Sequence, residues 1–234
     1  MFDYLDSLKW NISFVSTLNY LNNLKLNYSP AYYSKQFFQI KKFLIYLDLS
    51  WSNKLENPKP VHYLPKRVND ELVQECLNFF KNDIQIQALI NLGKDSGLRA
   101  EELYQLTIDD IDIINRIVYV RNDRNHSVKT GLARVSFFTN KTAKILHKYF
   151  NKFDKQNKIK NLWNINTIQK KFRNASLKVK FLRKYFSQTW DRKGGSTGIK
   201  KIIMGHSLKN DIDLMHYNYQ SEEDLKRIYD KIML

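Results

Sequence analysis

The sequence predicts a mainly α protein with a small antiparallel β-sheet, an α+β chain divided into two domains. Three observations lead there. Apolar residues recur three and four apart along most of the chain, the period of an amphipathic helix. Two short runs, Ile117-Val118-Tyr119-Val120 and Arg134 to Phe138, flank the polar stretch Asn122 to Gly131, the pattern of paired strands. Three of the four prolines fall between Ser52 and Pro65, where they deny helix continuation and mark a linker. The expected organisation is a helical domain over residues 1–55, a linker over 56–65 and a larger domain over 66–234.

The elements follow in order. Thr17-Leu18, Tyr20-Leu21 and Leu24 keep helical spacing. Ser29-Pro30 is an N-cap and first-turn pair. It opens a helix whose apolar stripe is Tyr33, Phe37, Ile40, Phe43-Leu44 and Leu47, with Lys35, Lys41 and Lys42 beside it. After the linker, Asn69-Asp70 caps a helix expected to run to about Asn82. Asp83 to Gly97 reads as a second, strongly apolar helix. Ser96-Gly97 breaks it, and a new helix begins within Leu98 to Leu103. Ile108 to Arg121 and Arg134 to Phe138 predict a hairpin or a three-stranded sheet. From Asn140 onward the pattern is helical, interrupted at Gly194 to Gly198. Ser221 followed by Glu222-Glu223-Asp224 starts a last helix, with Leu225, Ile228, Tyr229 and Ile232 on its apolar face.

Composition narrows the function. Of 234 residues, 43% are apolar and 26% charged, which suits a folded chain and argues against disorder. The formal charge is +16, which points to a polyanionic partner. The charge is concentrated: residues 140–184 hold 14 basic residues and one acid, Asp154. Phe150, Phe153, Trp163, Phe172 and Phe181 interleave with them, so the stretch reads as a folded basic face able to meet several backbone phosphates. The abundance of Asn, Ile, Tyr and Lys also fits an AT-rich gene, which raises Lys without functional cause. The single cysteine, Cys76, excludes an internal disulfide and a multi-cysteine zinc site. It fits a reducing, cytoplasmic setting. No apolar run approaches the roughly 18–20 residues of a membrane span, so no membrane partner is expected. The first ten residues carry two Asp and no basic n-region, unlike a signal peptide. Signatures of P-loop ATPases, zincins and α/β-hydrolases are missing. The five histidines do not pair at metal-ligand spacing, so no cofactor or metal is expected.

What remains is a set of basic residues and C-terminal tyrosines: Arg99 after Gly97, Lys180 and Arg183 three apart on one helical face, His206 after Gly205, then Tyr217 and Tyr219. Taken singly, each has an ordinary explanation as a solvated arginine or a packed tyrosine. Their local words and order carry more. Ser96-Gly97-Leu98-Arg99-Ala100-Glu101-Glu102-Leu103, followed by Leu106 and Asp109-Asp110-Ile111, resembles the first arginine box of the tyrosine recombinase (phage integrase) family. That box reads roughly T-G-(L/M)-R-x-x-E-(L/I)-x-x-L. Lys180-Phe181-Leu182-Arg183 resembles the second box, H-x-L-R, and Met204-Gly205-His206-Ser207 the L-G-H-S box. Tyr217 lies a little beyond, where the nucleophilic tyrosine is expected. The boxes stand in family order, as in Xer-like and archaeal or viral integrases, and residues 1–55 match the family's core-binding domain in position and size.

The resemblance implies a clamp on double-stranded DNA, working as a homotetramer on two sites in the cytoplasm, at the nucleoid. It implies that Arg99 and Arg183 clamp the scissile phosphate, that Glu102 orients the site, and that His206 hydrogen-bonds the phosphate. Lys129, five residues before Arg134, matches the hairpin lysine that protonates the leaving oxygen; an ordinary phosphate-contacting lysine is the competing reading. Lys180 departs from the usual histidine: it can donate to a phosphate but shuttles protons poorly near neutral pH. Usual spacing places the nucleophile at Met215, so Tyr217 requires a two-residue insertion within Lys209 to Asp213. Glu223 and Leu225, six and eight residues past Tyr217, favour that register over Tyr219. In the family the tail helix docks on a neighbouring subunit; packing on its own domain is the alternative. The implied task is integration of a viral or plasmid element, and the chain length leaves no room for an additional N-terminal arm-binding domain. An Xer-like resolvase uses the same chemistry. A non-catalytic DNA-binding relative would account for Lys180 and the tyrosine offset. A basic RNA-binding module lacks the RNP and KH words.

Overall fold

Side chains that cap helices set most element boundaries. The computed structural model describes residues 2–60, 64, 66–123, 131, 133–152, 161–207 and 220–234. It divides into two compact units, Met1–Pro65 and Lys66–Leu234.

In the first unit α1 spans Phe2–Ser7, α2 Phe14–Asn27 and α3 Pro30–Tyr46, followed by a 3₁₀ turn at Ser50–Lys54. Ser13 and Ser16 close a capping box at the start of α2. The Ser29 hydroxyl accepts from the Tyr32 N–H, with Pro30 in the first turn, as the sequence predicts. Leu21, Phe37, Ile40 and Leu44 pack with Tyr4, Leu5 and Leu55 into a small core. Inside it the Tyr4 hydroxyl bonds Thr17 Oγ1 at 2.6 Å. The apolar stripe of α3 ends at Leu44; Leu47 occupies the C-cap and is exposed, because the chain has left the helical path there.

In the second unit α4 spans Asp70–Phe79, capped by Asn69 Oδ1 on the Leu72 N–H. It stops short of the expected Asn82 because Asp83 serves as N-cap of α5, Ile84–Ser96, accepting from Ile86 N. Helix α5 is buried along most of its length and forms the centre of the unit. Gly97, at φ 64°, ends it in the left-handed region, where glycine carries no Cβ penalty. Helix α6, Ala100–Gln105, follows. Strands β1 (Ile111–Asp112), β2 (Ile117–Val120) and β3 (Arg134–Phe137) form one antiparallel sheet in that order, so the three-stranded alternative holds. In its register Ile117 faces Phe137 and Val120 faces Arg134. Helices α7 (Asn140–Phe150), α8 (Ile165–Lys171), α9 (Lys180–Arg192), α10 (Thr197–Met204) and α11 (Glu222–Met233) follow among the described residues. No helix among the described residues is long and apolar enough to cross a membrane.

Two polar anchors fix the ends of α5 and α11. The buried Asp95 Oδ2 accepts from Thr139 N, Thr139 Oγ1 and Thr142 Oγ1, which ties α5 to the start of α7. Helix α11 lies on its own unit. Leu225 and Tyr229 pack with Phe137, Phe186, Trp190 and Ile203. The Tyr229 hydroxyl donates to the Asp95 carbonyl at 2.9 Å, and Arg116 pairs with Asp230 across both carboxylate oxygens.

The turn at Gly97 gives a direct test of this packing. A Cβ there would run into the Phe186 ring, in a left-handed backbone. Gly97→Ala is expected to lower stability by about 2–4 kcal/mol, combining backbone strain with overpacking. Urea unfolding should show a lower midpoint at an unchanged slope.

Candidate active site

The site is built where the ends of five elements of the second unit meet: α5, α6, β3, α9 and α10. The Gly97 turn delivers Arg99 to the N-cap of α6, three residues before Glu102. The Glu102 carboxylate accepts from the Arg99 backbone N–H at 2.7 Å and from Arg99 Nη1 at 2.7 Å. Arg134, on β3, adds a second pair of bonds, Nη1 to Oε1 at 3.0 Å and Nη2 to Oε2 at 2.7 Å. Arg183, one turn into α9, donates from Nη1 to the carbonyls of Gly97 and Met204, both at 2.8 Å. Arg99 Nη2 donates to the Gly205 carbonyl at 2.8 Å, and Arg134 Nε to the Ile203 carbonyl at 2.9 Å.

Gly205 makes the convergence possible. It ends α10 at φ 64°, and a Cβ there would sit 2.7 Å from Arg134 Nε. Its geometry sends the chain directly to His206, whose N–H returns to the Lys201 carbonyl at 2.9 Å. The imidazole is half-buried beside the arginines.

Charge dominates this cluster. Burial pushes the Glu102 carboxyl upward, but the hydrogen bonds and charges of Arg134 and Arg99 outweigh it and hold the group below its ordinary range. Burial first, then repulsion from Arg99, brings Arg183 down to about 10, with Glu102 acting in the opposite sense. Burial, followed by Arg183, Arg99, Lys200 and Arg134, lowers His206, so the ring is neutral near pH 7. Arg99 and Arg183, held beside Arg134 and one carboxylate, make a site for an anion with several oxygens, since a guanidinium offers planar, paired donors. Among the described residues, no group of three or more His, Cys, Asp or Glu is placed to hold a metal ion.

The structure thus brings Arg99, Arg183 and His206 together, with Glu102 between the elements that carry them. Lys180 is the first residue of α9, exposed, with its ammonium 5.3 Å from the Phe181 ring centroid. Lys129, Tyr217 and Tyr219 lie outside the described residues, as does the segment Lys209 to Asp213. Sequence reasoning missed Arg134 as a member of the cluster; it served there only to place Lys129. Its signal was faint, an arginine opening the short strand-like run Val135 to Phe138.

The chain is similar to known proteins along most of its length. Residues 62–213 match the model of the phage integrase family. The tyrosine recombinase XerA of Saccharolobus solfataricus is 28% identical over 200 residues, which cover 83% of this chain and 65% of that recombinase. Among solved structures, a XerA recombinase superposes with a TM-score of 0.54 at 20% identity, covering 99% of this chain and 88% of that one. The Tn1549 transposon integrase, in complex with a circular intermediate DNA, superposes with a TM-score of 0.62 at 14% identity, covering 93% and 84%.

The position of His206 has a measurable consequence. Its ring should titrate below the ordinary value of 6.5, read by NMR of the full chain. A folded-state value below the unfolded one means that protons favour the unfolded chain. The His206 contribution to stability is therefore complete above about pH 6.5, falls as the pH drops through that value, and levels once the folded ring also protonates. His206→Gln should flatten that part of the stability profile.

Proposed function

The chain belongs to the phage integrase family of tyrosine recombinases, and we propose that it cleaves and rejoins duplex DNA at specific sites through a 3′-phosphotyrosyl intermediate. The observation that carries this reading is the convergence of Arg99, Arg183 and His206 at the ends of α5, α6, α9 and α10. In-line attack on a phosphodiester builds charge on its non-bridging oxygens, and preorganised guanidiniums in a partly buried site stabilise that charge. The two arginines bind those oxygens. Neutral His206 contributes a hydrogen bond, and Lys180, standing where histidine is usual, contributes another.

Tyr217 is the proposed nucleophile. Its phenol releases its proton to solvent as the oxygen bonds to phosphorus and the P–O5′ bond breaks, leaving a 3′-phosphotyrosyl link and a 5′ hydroxyl. Lys129 is the proposed donor of the proton that the leaving 5′ oxygen takes up. A 5′ hydroxyl of the partner strand then reverses the reaction. The covalent link conserves the phosphodiester bond energy, so the exchange needs no ATP. Four protomers on two sites form the proposed assembly, with the helical unit of residues 1–65 as a second contact to duplex DNA.

Integration of a viral or plasmid element is the proposed task. Similarity to a XerA recombinase over most of the chain favours a second reading, resolution of multimers by an Xer-like enzyme. A plasmid bearing two direct copies of the target site separates them: efficient excision supports resolution, whereas recombination only between unlike sites supports integration.

The first test is incubation of the full chain with supercoiled plasmid carrying the DNA that flanks its gene, in EDTA, quenched with detergent. Wild type should leave protein attached to a 3′ end. Tyr217→Phe should abolish the adduct while duplex binding persists, and Tyr219→Phe should retain it. Loss only in Tyr219→Phe would move the nucleophile. Duplex binding with no adduct on a site recovered by selection from randomised DNA would favour a binding-only relative.

A further inference from the structure

We infer that Arg134 is a positioning residue for strand cleavage, holding the Arg99 guanidinium and the Gly205-His206 turn in register through Glu102 and the Ile203 carbonyl. The inference rests on the recombinase reading and adds a residue to it. Five bonds define the role. Arg134 covers both Glu102 oxygens and, through Nε, the end of α10. Glu102 in turn holds Arg99 by side chain and backbone. One side chain of β3 therefore links the start of α6 to the end of α10.

Arg134 is poorly placed to bind DNA itself. Its side chain is 7% exposed, and Glu102's is 3% exposed. Its three guanidinium nitrogens all point at protein acceptors. A residue that met the phosphate would be directed at solvent instead. What Arg134 controls is how Arg99 meets Glu102. With Arg134 on both oxygens, Arg99 makes one side-chain bond to the carboxylate and turns Nη2 to the Gly205 carbonyl. With Arg134 gone, a buried carboxylate would face a single guanidinium. The strongest arrangement left is then the bidentate fork. That rotates Arg99 away from Gly205 and from an incoming phosphate.

The fit at Gly205 supports the same conclusion. The left-handed turn leaves room for Arg134 against the backbone, and any Cβ would close on Nε, Cδ and Cζ together. A lysine would fill that space with a single point donor and could not span two carboxylate oxygens and a carbonyl.

The test compares full-length wild type with Arg134→Gln, Arg134→Lys and the double variant Glu102→Gln/Arg134→Met. The double variant removes the buried Glu102–Arg134 pair as a unit, so no buried carboxylate is left unpaired, and Arg99 keeps the Gly205 carbonyl. Three quantities are read: the single-turnover cleavage rate at saturating DNA, the duplex Kd, and the NMR resonances of the Arg99 side chain and His206 ring. Arg134→Gln and the double variant should cleave about 100-fold more slowly, the scale of a displaced catalytic group. The duplex Kd should stay unchanged, and Arg134→Lys should recover part of the rate. The Arg99 and His206 resonances should shift in Arg134→Gln and in the double variant. Wild-type cleavage rates in a folded variant lacking Arg134, or resonances that coincide with wild type, would overturn the inference. A loss expressed wholly in duplex Kd would do so too, since it would make Arg134 a DNA ligand. If wild type itself forms no adduct, the recombinase reading falls, and the resonances still decide whether Arg134 sets the positions of Arg99 and His206.

Discussion

A buried carboxylate with two guanidiniums on it organises the second unit. Glu102 is taken almost wholly out of water, a transfer that costs several kcal/mol for an unpaired ion. Arg99, the N-cap of α6, and Arg134, which arrives from β3, offset that cost between them. Once they do, the start of α6, the strand β3 and the end of α10 have little freedom left relative to each other. Breaking both pairs would leave the charge uncompensated, a loss of about 3–5 kcal/mol in comparable cases.

Three like charges within one cluster need more than one carboxylate to coexist, and helix ends supply the remainder. The last carbonyls of a helix have no partner within it and carry the negative end of its dipole. Arg183 takes the Gly97 carbonyl at the end of α5 and the Met204 carbonyl at the end of α10. Arg99 takes Gly205, and Arg134 takes Ile203. The two left-handed glycines that stop α5 and α10 therefore have an electrostatic consequence: they turn the chain so that these carbonyls face the guanidiniums. The same end of α5 is braced from behind, where Ser136 Oγ donates to the Ser96 carbonyl and Tyr229 to that of Asp95. The cationic side and the packed side of the site share a single helix terminus.

How much of this the sequence disclosed follows from the range of each interaction. Ser29-Pro30, Asn69 and Asp83 act within three residues, so the helix starts were legible as local words. The end of α4 was not, because the residue that stops it is also the cap of the next helix. Arg99 and His206 stood in short boxes beside the glycines that shape their turns, and Arg183 in the box that opens α9. Arg134 was invisible as a participant because its partners lie 32 and 69 residues away. No local pattern encodes a pair at that range. Leu47 shows the converse failure: it kept the helical period of α3 after the helix itself had ended. Helix α11 was legible as amphipathic, but its surface of contact depends on Phe137, Phe186 and Trp190, which only the tertiary fold assembles.

The charge count of the cluster bears on what it is built to hold. Three guanidiniums against one carboxylate leave two positive charges, and His206, lowered by those same arginines, adds none near neutral pH. A phosphodiester in the ground state carries one negative charge. As an alkoxide or phenolate oxygen adds to phosphorus, the equatorial oxygens come to share about two. A rigid site with an excess of two is therefore better matched to that state than to the bound substrate, which is the condition for lowering a barrier rather than only tightening binding. The rigidity is as important as the charge. Cations free to relax away from one another would have to be gathered at the moment of reaction. Here Glu102 and the carbonyls at the ends of α5 and α10 have gathered them during folding. The repulsion among Arg99, Arg134 and Arg183 is thus already balanced when a phosphate arrives, and the anion completes a charge pattern that the fold has left short of neutral.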